Sequence, residues 1–328
     1  MTKHVLVTGG IGYIGSVVTS QLLEKGYQVT IFDNLSHARR SALPAGAIFV
    51  QGDVGDRAAL DLLFNKEKFD GVMHFAALIE AGESMKVPER YFRNNTASSL
   101  TLLEAILAHR ISRIVFSSTA ALYGNPVKTP IEEDDALLPT NAYGESKLLV
   151  EHMLAWFHRI HGLRYACLRY FNAAGAAGVH GEDHRPESHL IPIALEVAQG
   201  KRKELSIFGT DYPTPDGTCV RDYIHVADLA SAHLLAFEAL DTKEKLIYNL
   251  GNGRGFSVRE VIETVRRVTG HAIPALEAPR RPGDPAILVA SSEKIRRELL
   301  WRPQFSGLED IVKSAWEWRR AHPDGYAV

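Results

Sequence analysis

A glycine-rich loop near the start of the chain constrains the fold more than any other feature. Residues 4–8 form an apolar run, Gly9, Gly12 and Gly15 follow at three-residue spacing, and an amphipathic stretch comes next. Glycines permit a tight turn and let backbone N–H groups approach a pyrophosphate, whose charge the N-terminus of the next helix also favours. An ordinary turn is the alternative, but the position between a strand and a helix favours a dinucleotide-binding loop.

Apolar runs and amphipathic stretches alternate through the first half of the chain. The runs predicted as strands are residues 4–8, 28–32, 47–50, 71–75 and 113–117. This βαβα alternation predicts an α/β fold of the Rossmann type: a doubly wound parallel sheet with helices on both faces and ligands at the carboxyl ends of the strands.

The rhythm changes after about residue 170, where the chain becomes rich in glycine and proline. Helices are predicted near residues 190–199 and 225–240, which indicates a smaller C-terminal substrate domain. We therefore assign residues 1–170 to a dinucleotide-binding domain and residues 171–328 mainly to substrate binding. A strand at 246–250, within a segment near 225–255, is expected to rejoin the main sheet.

Charge and cysteine content exclude several classes of partner. Lys and Arg total 37 against 39 for Asp and Glu, so the balance gives no electrostatic reason to expect nucleic acid or a membrane surface. The chain shows no long apolar segment and leaves no room for a signal peptide before the first strand. Cys167 and Cys219 lack CxxC spacing and fit buried thiols in a reducing compartment. A cytoplasmic protein is expected.

The ends of the second and third predicted strands point to the cofactor. A carboxylate at Asp33 can accept hydrogen bonds from both adenosine ribose hydroxyls and would repel a 2′-phosphate, which predicts NAD rather than NADP. Arg39 and Arg40 are the signal for NADP, but their position beyond the strand end fits solvated side chains better. Asp53 and Val54 are placed for the adenine edge, although Asp53 can equally be a helix N-cap.

Three residues are predicted to carry the chemistry. Tyr143 and Lys147 are spaced Tyr-x-x-x-Lys and so share one face of a helix. Thr119 follows a buried-type strand, and its hydroxyl can bind a substrate oxygen, with a strand-end cap as the structural alternative. Tyrosine titrates near ~10, so Tyr143 acts as a base only if its pKa falls. We expect Lys147 and a positive nicotinamide ring to lower it.

Segments along nearly the whole chain resemble the UDP-glucose 4-epimerase family of extended short-chain dehydrogenase/reductases. They are TGGIGYIG, SSTAALYG, YGESK, RYFNAAGA, TPDGTCVRDYIHVADLA and RRPGDPA. The resemblance implies tightly held NAD and interconversion of UDP-glucose and UDP-galactose. It also implies a homodimer built from helices near 89–109 and 143–161 of each subunit.

The resemblance further implies a mechanism. Tyr143 would take the proton from the sugar 4-hydroxyl while hydride passes from C4 to NAD, giving a 4-keto sugar that turns and receives the hydride on its other face. Lys147 would hold the nicotinamide ribose, and Thr119 would bind the sugar oxygen.

Residues and resemblance together predict two binding sets. The NAD set is Gly9, Gly12, Tyr13, Ile14, Asp33, Asn34, Asp53, Val54, Phe75, Ala76, Ala77, Asn94, Ser117, Tyr143, Lys147 and Tyr170. The UDP-sugar set is Ser84, Thr119, Tyr143, Asn172, His189, Leu190, Phe208, Arg221, Tyr223, Arg281 and Asp284. Arginines suit a diphosphate because they form bidentate, charge-assisted bonds. His225 is predicted to be structural.

A tract of imidazoles and carboxylates invites a metal interpretation, since these are common metal ligands. Its members are His180, Glu182, Asp183, His184, Glu187 and His189. The resemblance places this segment over the nucleotide, so no metal is expected.

Three positions depart from the family pattern. Ile79 stands where many relatives have a lysine near the cofactor pyrophosphate, and Glu80 adds a negative charge beside it. Leu288 stands where some relatives have a bulky tyrosine, so a smaller side chain would leave room for a 2-acetamido group. N-acetylated UDP-hexosamines are therefore possible substrates.

Other functions are also compatible with parts of the pattern. A UDP-pentose 4-epimerase for UDP-xylose and UDP-arabinose would use the same residues, and decarboxylases are also near rivals. The 4,6-dehydratases have acidic residues after the threonine, where this chain has Ala120 and Ala121. A non-catalytic NAD sensor is argued against by the intact Thr119, Tyr143 and Lys147.

Overall fold

The computed structural model describes residues 2–281 and 284–327, which leaves Pro282 and Gly283 of the RRPGDPA motif outside the described residues. The strands are β1 (His4–Thr8), β2 (Gln28–Asp33), β3 (Ile48–Gln51), β4 (Gly71–His74), β5 (Arg113–Thr119), β6 (Arg164–Tyr170), β7 (Asn172–Ala174), β8 (Leu205–Phe208), β9 (Val220–His225), β10 (Lys245–Leu250), β11 (Gly255–Ser257), β12 (Ala275–Ala278) and β13 (Ile287–Leu288).

The helices cover most of the intervening chain. They are α1 (Tyr13–Glu24), α2 (Arg57–Lys66), α3 (Ala81–Ser84), α4 (Pro88–Tyr91), α5 (Ser98–Ala108), α6 (Ala142–His161), α7 (Leu190–Ala198), α8 (Val226–Ala239), α9 (Val258–Thr269), α10 (Glu293–Leu299) and α11 (Leu308–Ala321). A π-helical turn at Phe92–Ala97 joins α4 to α5.

A seven-stranded sheet in the order β3-β2-β1-β4-β5-β6-β10 forms the centre of the molecule. Every neighbouring pair in it is parallel. The chain runs outward from β1 in one direction and then returns to the other side at β4, so the strand order reverses between β1 and β4. Ligands of doubly wound sheets bind at such a switch point. The predicted Rossmann-type sheet is confirmed.

Burial of both faces explains why the central strands have continuous apolar runs instead of alternation. Val5 and Val7 of β1 pack with residues of α1 and α8 on one face of the sheet. Leu6 between them packs on the other face, with residues of α2, α5 and α6. Successive side chains of a strand point to opposite faces, so one strand joins two cores.

A smaller region follows the sixth strand. It contains a four-stranded sheet of β7, β9, β11 and β13 and a two-stranded sheet of β8 and β12. A third core forms where α7, α9 and α11 pack together, around residues such as Ile191, Val261 and Ile311. Because β10 pairs with β6 in the main sheet, the later chain contributes to both regions. The division at residue 170 stays a prediction.

Three smaller predictions concern the two cysteines, His225 and membrane-spanning helices. Cys167 and Cys219 are both buried and free, as predicted. His225 is structural: its ring stacks on Phe305 at 4.1 Å between centroids, and its Nδ1 accepts from Ala227 N at the start of α8. Among the described residues, no helix is long and apolar enough to cross a membrane.

Candidate active site

A cavity of about 730 Å³ opens at the carboxyl ends of the central strands, between the glycine loop and the loop after β4. Its volume is within the range of small-molecule and cofactor sites. All the residues predicted for NAD line this cavity. Thr119, Asn172 and His189 of the UDP-sugar set line it too.

The glycine loop is packed so closely that side chains cannot replace its glycines. Gly9 has φ +70°, and a Cβ on it would lie 2.6 Å from Ala76 N. A Cβ on Gly15 would lie 2.2 Å from Gly9 O, where α1 crosses the loop. The backbone of the loop is thereby open to the cavity at the N-terminus of α1, an arrangement that fits a pyrophosphate.

Gly15→Ala is expected to remove NAD from the purified protein. The added methyl group meets a backbone oxygen, so the loop itself must shift. We expect retention of NAD to fall at least about tenfold, which corresponds to about 1.4 kcal/mol of binding free energy. Nucleotide released from heat-denatured protein measures this. Gly82→Ala is the control, because a Cβ there meets nothing within 4 Å. Equal NAD content in the Gly15 variant and wild type would contradict the packing argument.

Asp33 is the last residue of β2, and its carboxylate accepts two hydrogen bonds from backbone N–H groups. Its Oδ1 accepts from Leu35 N at 2.9 Å and its Oδ2 from Ile11 N at 3.3 Å. Burial raises the pKa of Asp33, and these two backbone hydrogen bonds oppose the rise. The backbone bonds hold the carboxylate in the wall of the cavity, where a ribose can meet it.

The acidic residues after β3 show which of them is the N-cap of α2, a role that the sequence also allows for Asp53. Asp56, not Asp53, caps α2, accepting from Ala59 N at 3.1 Å. The N-cap interpretation of Asp53 is therefore wrong. Its Oδ2 instead accepts from the Asn34 amide at 2.7 Å, which joins the ends of β2 and β3 at the cavity.

The two arginines considered for NADP are placed differently from each other. Arg40 lies over the ring of Phe49, 5.0 Å from its centroid. Arg39 is partly buried and lines the cavity, so its solvated state stays a prediction.

The predicted catalytic residues meet at the opposite end of the cavity. Thr119 is the last residue of β5, and its Oγ1 accepts from Ala121 N at 3.1 Å, so it also serves as the strand-end cap. Asn141 caps α6 by accepting from Gly144 N at 2.8 Å, which starts the helix just before Tyr143. One turn later Lys147 is buried, and its Nζ donates to Ser117 O at 2.9 Å.

The pKa of Tyr143 differs from the sequence expectation. Burial raises it, a hydrogen bond with Thr119 opposes the rise, and the charge of Glu80 adds to it. Burial lowers the pKa of Lys147 itself to about 7, and its ammonium is held by Ser117 O. Within the described chain Lys147 is not among the groups that shift Tyr143, so the lowered phenol pKa expected from Lys147 is not found.

Two supporting arrangements lie at the end of the cavity that contains Lys147. Ser117 Oγ and the Tyr170 hydroxyl are hydrogen-bonded across β5 and β6. Asn94 lies in the π-helical turn, a feature that often occurs at functional sites. Its neighbour Asn95 bonds to both the N–H and the C=O of Leu78 and to Ser146, so it ties the loop after β4 to α6.

Four residues of the UDP-sugar set lie together on the C-terminal side. Arg221 and Asp284 are 3.3 Å apart, and the guanidinium of Arg281 lies 4.0 Å from the ring centroid of Phe208. None of these four lines the cavity formed by the described residues. They provide two guanidiniums and a carboxylate. Arg221 lies on β9, which pairs with β7, and Asn172 of β7 lines the main cavity.

The remaining members of the UDP-sugar set are less accessible. Ser84 is fully buried and donates to Ala81 O at 2.7 Å, so its hydroxyl is used within α3 and does not line the described cavity. Tyr223 is buried in β9 beside Asn172 of β7. Leu190 begins α7 directly after His189.

The three residues that depart from the family pattern differ in their position relative to the cavity. Ile79 and Glu80 line the cavity, and Glu80 accepts from the Ser188 hydroxyl at 2.7 Å, which anchors its charge. Leu288 pairs with Arg221 between β13 and β9 and does not line the cavity of the described residues.

Some cavity residues had no sequence signal. Tyr326, near the end of the chain, closes one wall, where its hydroxyl accepts from Gly181 N at 3.0 Å. Glu83 accepts from Arg90 at 2.7 Å and from the Tyr91 hydroxyl at 2.8 Å at another edge. Tertiary packing creates these contacts, and no spacing in the sequence indicates them.

Comparison with known proteins shows the same fold and sequence pattern throughout the chain. The family model described as "NAD dependent epimerase/dehydratase family" matches residues 5–251. The UDP-glucose 4-epimerase of Halalkalibacterium halodurans is 54% identical over 327 residues, covering 99% of this chain and 98% of that protein.

Two solved structures are similar as well. That of UDP-glucose 4-epimerase from Brucella ovis in complex with NAD has a TM-score of 0.93 and 44% identity, covering 96% of this chain and 98% of its own. That of the UDP-Glc/GlcNAc 4-epimerase from Campylobacter jejuni has a TM-score of 0.86 and 41% identity, covering 97% and 99%. The chain therefore belongs to the NAD dependent epimerase/dehydratase family and, within it, to the UDP-glucose 4-epimerases.

Proposed function

We propose that this protein is an NAD-dependent 4-epimerase that interconverts UDP-glucose and UDP-galactose. The observation that carries the proposal is the convergence of Thr119, Tyr143 and Lys147 on the same cavity as the glycine loop and Asp33. Membership of the UDP-glucose 4-epimerases supports it from an independent direction.

The chain's own residues account for proton transfer and orientation. Tyr143 lines the cavity together with Thr119 and is placed to remove the proton of the sugar 4-hydroxyl and to return it later. Thr119 can bind the same sugar oxygen. Lys147 contributes a buried amine one helical turn away. Bound NAD supplies a reversible hydride acceptor at the sugar carbon, so the reaction through a 4-keto sugar has no net oxidation.

The glycine loop and the strand ends fit the cofactor. The open loop backbone, the carboxylate of Asp33 and the pair of Asn34 with Asp53 would hold the dinucleotide, with Lys147 and Ser117 at the nicotinamide end. We assign the UDP moiety to Asn172 and to the cluster of Arg221, Arg281, Phe208 and Asp284. Two guanidiniums are suited to a diphosphate.

Substrate breadth is the finer part of the proposal. The similar Campylobacter jejuni protein is described as a UDP-Glc/GlcNAc 4-epimerase. In this chain position 288 pairs with Arg221, which we assign to the UDP moiety, and carries a leucine where some relatives have a bulkier tyrosine. We therefore expect N-acetylated UDP-hexosamines to react too, and the alternative function is that of a UDP-pentose 4-epimerase.

NMR of the products distinguishes these functions. Purified protein is incubated separately with UDP-glucose, UDP-N-acetylglucosamine and UDP-xylose, with no cofactor added. Galacto product from UDP-glucose supports the proposal, and product from the acetamido sugar establishes the wide pocket. Turnover of UDP-xylose alone would identify a pentose epimerase. No turnover of any sugar by protein that contains NAD would indicate a non-catalytic sensor.

We also propose a homodimer in the cytoplasm. Trp156 and Ile160 of α6 are 58% and 64% exposed and lie one helical turn apart, so they form an apolar patch that fits a helix packing on a second copy. Light scattering on Trp156→Glu should show a monomer. The control Leu62→Glu alters an exposed leucine of α2 and should stay dimeric.

The cytoplasmic part of the proposal rests on the two cysteines. Buried free thiols fit a reducing compartment.

A further inference from the structure

Four side chains of one short segment converge on a single point in the wall of the cavity. They belong to Glu182, His184, Glu187 and His189, and one ligand atom from each lies within 4.8 Å of all the others. Nδ1 of His184 is 3.1 Å from Glu182 Oε1, and Nδ1 of His189 is 2.9 Å from the same oxygen. Two imidazole nitrogens and two carboxylate oxygens therefore face one another.

The carboxylates of this cluster are buried, and one of their oxygens has no hydrogen-bond partner among the described residues. The side chains of Glu182 and Glu187 are only 7% and 1% exposed. A nearby cation is Arg319, whose Nη2 lies 3.8 Å from Glu187 Oε2, beyond hydrogen-bond distance. Glu187 Oε2 has no hydrogen-bond partner among the described residues. Buried carboxylates need a compensating charge, and a cation bound among these four side chains would supply it.

The geometry favours a shared cation over separate hydrogen bonds. Nδ1 of His189 lies within 3.0 Å of oxygens from both Glu182 and Glu187, but a single N–H can point well at only one acceptor. An ion between the four atoms contacts all of them at once. Ligand bonds of about 2.0–2.2 Å in a tetrahedral site separate the ligand atoms by about 3.3–3.6 Å. The named contacts here are 2.9–3.1 Å and all four atoms lie within 4.8 Å, so this separation falls inside the observed range.

We propose that Glu182, His184, Glu187 and His189 bind one divalent transition-metal ion, with Zn²⁺ the best match. Imidazole nitrogens argue against Mg²⁺ and Ca²⁺, which prefer oxygen ligands alone. Two neutral imidazoles and two carboxylates make the site with Zn²⁺ electrically neutral. This inference replaces the expectation of no metal, because the sequence does not show that the loop brings the four ligand atoms together.

The backbone around the cluster is arranged to hold the ligands in place. Glu187 Oε1 accepts from the N–H groups of both Ser188 and His189 at 2.8 Å, which fixes the carboxylate. Glu182, His184 and His189 also line the large cavity. The ion therefore pins the cavity wall, and His189 becomes a metal ligand instead of a nucleotide contact. The proposal does not depend on which sugar reacts.

Metal binding by the full-length protein tests the inference. Protein stripped with EDTA is titrated with ZnCl₂, and zinc per chain is measured by elemental analysis. We expect one saturable equivalent in wild type and at least about tenfold weaker binding in His184→Asn and Glu187→Gln. Asp183→Asn is the matched control: it lies in the same segment, but its carboxylate accepts from Tyr326 N. It should keep the equivalent.

Three results would overturn the inference. They are the absence of a saturable equivalent in wild type, unchanged binding in both cluster variants, or an octahedral spectrum when Co²⁺ replaces Zn²⁺ in wild type. The Co²⁺ spectrum decides the matter even if a variant fails to fold, since a tetrahedral site gives intense visible bands. Epimerase activity is measured separately. A protein that is an active epimerase but binds no zinc would contradict this inference and leave the proposed function standing.

Discussion

Tyr143→Phe is expected to lower kcat for epimerisation by about 10²- to 10⁴-fold, the usual contribution of a general acid–base group. The variant keeps the ring and loses only the hydroxyl of a residue that lines the cavity together with Thr119. Without that oxygen, the chain has no group at this position that can take the proton of the sugar 4-hydroxyl. The rate is measured by NMR with UDP-glucose, together with the NAD content of each preparation.

Tyr27→Phe provides the comparison for this prediction. The Tyr27 hydroxyl donates to Glu238 on the far side of α1 and α8, away from the cavity, so its loss should leave kcat unchanged. If Tyr143→Phe retains NAD and reacts at a rate within a few-fold of wild type, Tyr143 is not the proton-transfer group. A variant that has lost its NAD instead shows that the Tyr143 hydroxyl also supports the cofactor.

Glu151→Gln is expected to lower the free energy of unfolding by about 3–5 kcal/mol, as found when one partner of a buried ion pair is removed. Glu151 of α6 accepts from the Arg169 guanidinium of β6 at 2.6 Å and from the Ser118 hydroxyl of β5 at 2.6 Å. The side chains of this pair are only 3% and 5% exposed, so glutamine leaves a buried guanidinium without its counter-charge. Urea unfolding measures the change.

The control for the ion pair is the next residue on the same helix. His152 is exposed, and His152→Gln should change stability by less than about 0.5 kcal/mol. A loss below about 1 kcal/mol in Glu151→Gln would show that the pair behaves as an exposed one. Glu151 matters for function because it joins the helix that carries Tyr143 and Lys147 to β6 through Arg169 and to β5, the strand of Thr119, through Ser118.

The main sheet could be predicted from the sequence because its signals are local. A glycine loop between a strand and a helix, and apolar runs of strand length, depend on residues close together in the chain. The sequence predicts a strand that ends at residue 117, whereas β5 continues through Ser118 and Thr119. In the structure both are buried: the Ser118 hydroxyl is satisfied by Glu151, and Thr119 caps the following turn. That compensation comes from tertiary contacts and α6.

The site shows the same limit. Spacing alone brought Tyr143 and Lys147 to one helix face, but burial and the carbonyl of Ser117 decide which group the ammonium contacts. The convergence of Glu182 with His189 depends on the path of a loop, for which the sequence has no periodic signal. Tyr326 reaches the cavity from the end of the chain, and the sequence gives no indication of this contact.

The most direct test of the central claim follows the hydrogen on the sugar carbon. UDP-glucose labelled with deuterium at C4 is incubated with the purified protein in ordinary water, and the product is analysed by NMR and mass spectrometry. The account predicts UDP-galactose that keeps deuterium at C4, because the hydrogen leaves and returns within one enclosed site. Product that has exchanged the label for solvent hydrogen, or no galacto product from protein that contains NAD, would contradict it.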